Sequence, residues 1–175
     1  MNSKLLKETL LTPRARTYCV LDGAAVKDLP KHLYEMKPPN YCLLRGELTP
    51  DMVHVAPYVA LMIPGEAFSD WVIDNCFGAN RGIFVQTRFS IKEMRKHFRA
   101  LITVYDENGN PMLFRFYDPR VFRKFLPTCD AEQVQTFFGN IDRFLLEDEE
   151  QKNLLSVTQT NGVLEEKVID LSDKE

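Results

Sequence analysis

The chain has 175 residues, 45% of them hydrophobic and 27% charged, with a formal net charge of −3. That length holds one domain with a full core and is too short for two ordinary domains. The slight acidity argues against a nucleic-acid-coating protein, and no run approaches the about 20 apolar residues of a membrane helix. The average conceals a split: residues 1–146 carry +3 and residues 147–175 carry −6. The acidic end is therefore electrostatically distinct from the body.

The opening "MNSKLLKETLLTPRAR" lacks the long apolar core and small-residue cleavage site of an export signal, which leads us to expect a cytoplasmic protein. In that reducing compartment Cys19, Cys42, Cys76 and Cys129, none in a C-x-x-C pair, are expected as thiols in the core. "RTYCVLDG" (16–23) has the profile of a buried strand closed by Asp-Gly. "DLPKHLYEM" (28–36) reads as a helix with Asp28 as N-cap and Pro30 in the first turn. "YCLLRGE" (41–47) and "PYVALMIPG" (57–65) are expected strands, with a helical turn at "TPDMV" between them.

"EAFSDWVIDNCFG" (66–78) places Phe68, Trp71, Val72 and Cys76 at helical spacing before the stop at Gly78. After the strand "GIFVQT", Ser90 and Glu93 form a capping box for "IKEMRKHFRAL", apolar at Ile91, Met94, Phe98 and Leu101, basic at Lys92, Arg95, Lys96 and Arg99. "ITVYDENGNPMLFRFY" reads as a hairpin turning at Asn108-Gly109, with Arg115 inside its second strand. Asp118 is placed to cap a short helix with Pro119 at its first position, and Asp130 to start another through Phe137 and Phe138. Beyond "EDEEQKN", a charge run expected to be solvated, "LLSVTQTNGVLEEKVIDL" reads as a hairpin turning at Asn161-Gly162. A lone hairpin is marginal in water, so this one needs a surface, either the protein's own sheet or a partner.

Strands alternating with helices predict an α/β fold, with α+β as the alternative: a single domain with a mixed sheet, flanking helices and a C-terminal hairpin. The division is a body over 1–146 and an acidic segment over 147–175. No phosphate loop, nucleophile elbow, dinucleotide fingerprint or H-E-x-x-H motif is present. Zinc ligation by Cys19, Cys42 and His54 lacks recognisable spacing, so neither metal nor cofactor is expected. His97 is expected exposed on the basic helix, and His54 as a hydrogen-bonded structural histidine rather than a general base.

The best enzymatic case is a small phosphate- or anion-binding enzyme using Arg45, Arg115 and Asp118, joined by Asp22. Asp22 and Arg45 fall at strand C-terminal ends, where open α/β sheets place ligands. The competing reading makes Asp118 a cap and a counter-ion for Arg115 or Arg120, a corner holding strand to helix. We favour the structural reading. Residues 81–124 also hold ten basic and four acidic side chains, a local +6 that could meet an acidic protein. Self-docking of the acidic tail on this body is a further possibility.

In order, "YCVLDGAA", "CLLRGELTPDMVHVAPYVALM", "GIFVQTRFSIKEMRKHFRALITVYDENGNPMLFRFYDPRVFRKFLPT" and "FFGNIDRFL" resemble the bacterial type VI secretion adaptor-chaperones, long catalogued as a domain of unknown function. The resemblance spans about residues 17–146, and "FRFYDPRV" is its most specific part. It implies a cytoplasmic, non-enzymatic protein that binds a toxic effector and helps load it on the VgrG spike, without nucleic acid or membrane. The family pattern falls on Asp22, Gly23, Arg45, Gly46, Ala56, Pro57, Tyr58, Arg115, Tyr117, Asp118, Pro119 and Arg120. Of these, Asp22, Arg45, Tyr58, Arg115, Tyr117, Asp118 and Arg120 are the candidate partner-binding or motif residues. Physically, an apolar groove with basic residues at its rim is expected to take the effector segment.

Overall fold

A computed structural model describes residues 2–172 as seven α-helices, one short 3₁₀ turn and nine strands. The strands are β1 (Arg16–Asp22), β2 (Asn40–Cys42), β3 (Pro57–Met62), β4 (Gly82–Thr87), β5 (Thr103–Tyr105), β6 (Pro111–Leu113), β7 (Arg143–Glu147), β8 (Leu154–Thr160) and β9 (Val163–Ile169). The helices are α1 (Ser3–Leu10), α2 (Leu29–Met36), α3 (Pro50–Val55), α4 (Ala67–Cys76), α5 (Ile91–Leu101), α6 (Pro119–Phe125) and α7 (Ala131–Phe138). Seven strands form one sheet in the order β2-β3-β1-β4-β7-β8-β9, and β5 and β6 form a separate hairpin. The expected single domain of sheet, flanking helices and C-terminal hairpin is what the chain adopts. Every pairing is antiparallel.

Both faces of the sheet are covered, which is why its central strands read as unbroken apolar runs. Successive side chains point to opposite faces: Tyr18, Val20, Ile83, Val85, Phe144 and Leu146 meet α5, α6 and α7. Cys19, Leu21, Phe84 and Leu145 meet α1, α2 and α4. The capping box of α5 forms as expected, as do the caps at Asp118 and Asp130. Two short elements escaped the sequence reading. The helix α1 buries Leu6 and Leu10, and β7 inserts between β4 and β8 immediately after α7.

Five local expectations are corrected. Asp28 adopts a left-handed conformation (φ 56°) and makes no side-chain cap. The strand expected over 41–47 stops at Cys42, because Arg99 Nη2 donates to the carbonyls of Cys42 and Leu44 at 3.0 and 2.8 Å. The hairpin strand expected to run past Arg115 ends at Leu113, since Phe116 is drawn into an aromatic cluster with Phe98 and Phe137. His97 is half-buried, its Nε2 2.9 Å from the Phe137 carbonyl oxygen, and burial pushes its pKa down; His54, by contrast, is exposed on α3.

The hairpin of the acidic segment, β8 and β9, lies on the protein's own sheet. Its first strand pairs with β7 and buries Leu154, Leu155 and Val157, and Asn161 (φ 51°) with Gly162 (φ 81°) makes the tight turn. Gly162 is required there twice over, because a Cβ would stand 2.5 Å from the Ala131 carbonyl oxygen at the head of α7. The run "EDEEQKN" is only half solvated. Glu147 is buried, accepts from the Asn80 backbone N–H, and is pushed up by burial, while Asp148 accepts backbone bonds from Lys152 and Asn153.

Candidate functional site

Asp22, the last residue of β1, is buried; its Oδ1 accepts the Ala24 N–H at 2.9 Å and its Oδ2 accepts from Arg115 Nη2. Arg115 stands in the irregular connector between β6 and α6, held by the Asp118 N–H donating to its carbonyl at 3.0 Å. Its Nη2 also lies 3.6 Å from Asp118 Oδ2. Asp118 caps α6: Oδ1 accepts the Arg120 backbone N–H at 3.0 Å, and the Arg120 guanidinium closes a fork with Nε–Oδ1 at 3.0 Å and Nη2–Oδ2 at 2.8 Å. Bidentate pairing of this kind combines charge with fixed geometry. The result ties the end of β1, the connector and the first turn of α6 into one knot.

The knot's electrostatics follow from its pairing. Burial opposes ionisation of Asp118, but the hydrogen bonds from Arg120 and the nearby guanidinium groups outweigh it and hold the carboxyl below the usual range. Burial likewise pulls Arg115 down, and the Asp22 carboxylate more than compensates, leaving its pKa raised. Tyr117, buried beside these charges, is pushed up to about 12, first by burial and then by Asp22. A carboxylate held below its usual range is a poor proton acceptor at neutral pH, and a phenol near 12 is a poor proton donor. The thiols offer no activated nucleophile either: burial raises Cys19 and carries Cys76 to about 12.

Of the sequence candidates, Asp22, Arg115, Tyr117, Asp118 and Arg120 come together. Tyr58 and Arg45 do not. Tyr58 lies on β3 and donates to the Val53 carbonyl at 3.1 Å, fastening α3 to the sheet, and burial lifts its pKa to about 12. The pairing of "LDG" with "AP" is steric: a Cβ on Gly23 would stand 2.3 Å from the Ala56 carbonyl oxygen, to which Gly23 N–H already donates at 3.1 Å. Because the sheet is antiparallel, the rule placing ligands at parallel strand ends does not apply, and Asp22 and Arg45 are not companions.

Arg45 instead faces α5. With Lys92, Arg95, Lys96 and Arg99 it lines a depression of about 410 Å³ that has no acidic residue in its wall among the described residues. Arg95 lies over the Tyr41 ring, 4.6 Å from its centroid, and Arg99 is pinned to the Cys42 and Leu44 carbonyls. A second concavity, about 470 Å³, opens beneath the β5–β6 hairpin. Leu101, Val104, Phe114, Phe125 and Phe137 make it apolar, and Asp130 and Glu132 stand among its lining residues. The hairpin above exposes Tyr105, Met112 and Leu113. An apolar groove thus exists, but the acidic groups are the ones at its margin, and the basic ones surround a different hollow. The expected apolar groove was not located in the sequence, because nothing local shows that Phe114, Phe125 and Phe137 open onto one hollow.

The chain belongs to the family described as Domain of unknown function (DUF4123), which it matches over residues 17–136, from β1 into α7. No match was found among curated proteins or among solved structures. Strands β7, β8 and β9 lie outside the matched region. No described helix is long and apolar enough to cross a membrane.

Proposed function

We propose that the protein is a cytoplasmic adaptor-chaperone that binds a type VI secretion effector and helps load it on the VgrG spike, acting by binding rather than by turnover. Membership of a family known in effector-associated type VI secretion contexts supports this reading. The observation that carries it is the exposed β5–β6 hairpin standing over an apolar groove, an arrangement suited to covering a hydrophobic polypeptide segment. The ion knot supports it from the other side, since its carboxylates are already engaged with Arg115 and Arg120.

Val104 and Met112 are cross-strand partners on the hairpin, and both are exposed. The test is co-expression with type VI effectors from the same genome, comparing wild type with Val104→Glu/Met112→Glu. Wild type is expected to co-purify with the effector and raise its soluble yield, and the double variant to lose both at an unchanged melting temperature. Equal capture by both proteins would remove the hairpin from recognition; no capture by wild type would overturn the adaptor reading.

A further inference from the structure

The basic hollow on α5 contrasts with every other cluster of arginines in the fold. Lys92, Arg95, Lys96 and Arg99 occupy one helix face, a stripe about 10 Å long at 1.5 Å per residue, and Arg45 closes its side. Two of its members are fixed before any ligand arrives: Arg99 by two backbone carbonyls and Arg95 by the Tyr41 ring. The Nε atoms of both are buried without a hydrogen-bond partner. Burial lowers the Arg99 pKa, and the neighbouring Arg95 and Arg45 lower it further, the signature of cations crowded without a counter-charge.

Glu165 and Glu166, the described carboxylates of β9, do not neutralise this surface. Helix α5 packs over β3, next to the β2 edge, whereas Glu165 and Glu166 lie on β9 at the opposite edge of the sheet. The hairpin of β8 and β9 is held by its ladder with β7 rather than by docking its charge on this surface. The acidic and basic ends of the molecule therefore both face outward.

We propose that this hollow docks an acidic polypeptide segment of the cargo, a conclusion that rests on the adaptor reading and adds the chemistry of what is bound. An extended chain places alternate side chains on one face about 7 Å apart. Acidic residues at every second position then meet the stripe two at a time, forming charge-assisted bonds with a prepositioned guanidinium pair. Nucleic acid is the weaker fit. Arg95 already lies over the Tyr41 ring, so that face of the ring offers no stacking platform for a base.

The test is fluorescence anisotropy at low ionic strength with a short labelled peptide of alternating Glu and Ala, a Gln-for-Glu control peptide, and a single-stranded oligothymidine of matched charge. The proteins are wild type, Arg45→Glu/Lys96→Glu, and Lys27→Glu/Lys31→Glu, which makes the same change in net charge at exposed positions elsewhere. Binding of the Glu peptide is expected to weaken by about tenfold or more in the first variant, with a shallower salt dependence, and by less than about twofold in the second. Equal weakening by the two variants, equal binding of the Gln peptide, or tighter binding of the oligothymidine would each overturn the proposal. Capture of the co-expressed effector by wild type is read in parallel. Its failure would strike the adaptor reading, while failure of the peptide arm alone would strike only the acidic-segment assignment.

Discussion

Two groups of arginines lie on the same face of one sheet and behave oppositely. Arg115 and Arg120 each meet a buried carboxylate, so their charge is spent inside the fold, joining β1, the connector and α6. Arg95 and Arg99, with Arg45, meet only backbone carbonyls, an aromatic ring and one another. The residue type is the same; the presence of a carboxylate within reach separates a girder from an open hand. A cluster of charge in a sequence therefore means little until its counter-ions have been located.

The sharpest break between the two regions should come from Asp118→Ala. It removes the α6 cap and one carboxylate from two guanidinium groups, and because Arg115 and Arg120 are 43% and 59% exposed they can regain water. The expected loss is about 2–3 kcal/mol of unfolding free energy by urea denaturation. Asp118→Asn, keeping the cap oxygen, should lose about half as much. Gly23→Ala comes next: its Cβ cannot coexist with the Ala56 carbonyl, and displacing that backbone should cost about 1–3 kcal/mol, read as a lower melting temperature.

Acid titration sharpens the contrast further. Asp118 has a folded pKa below its unfolded value, so its contribution is complete above the ordinary carboxylate pKa of 3.8 and is lost as pH falls through the lower folded value. Stability measured between about pH 5 and pH 2 should therefore drop less steeply in Asp118→Asn than in wild type. The smallest effect is expected at the open cluster. Arg45→Gln/Lys96→Gln removes mutually repelling, exposed charges, and unfolding free energy should stay within about 0.5 kcal/mol of wild type or rise slightly. A loss comparable to that of Asp118→Ala would show that the hollow, too, is scaffolding.

Much of this architecture could be read from the residues. Periodicity and capping chemistry placed α5, α6 and α7, and Asn161-Gly162 placed the final turn, because those signals are local. Asp118 as cap and counter-ion was legible for the same reason. What lay outside reach was long-range. Asp22 is grouped with Arg115 and Asp118 in the sequence, and the structure brings them together, but nothing local marks Asp22, 93 residues away, as the ion-pair partner of Arg115. Arg45 was grouped with them because strand ends were judged by a rule for parallel sheets, whereas both faces here are covered by helices around antiparallel strands. Strand β7 was hidden by its brevity and by Glu147, a carboxylate read as solvated but buried against the Asn80 loop.

The central claim is that paired charge holds the fold and unpaired charge holds the ligand. Its most direct test is effector capture on resin by wild type, Asp118→Asn and Arg45→Glu/Lys96→Glu, at a temperature where all three are folded. The account predicts that Asp118→Asn captures as wild type does while the charge-reversed protein loses most of its capture. The opposite order, with the Asp118 variant failing and the charge-reversed protein intact, would contradict it.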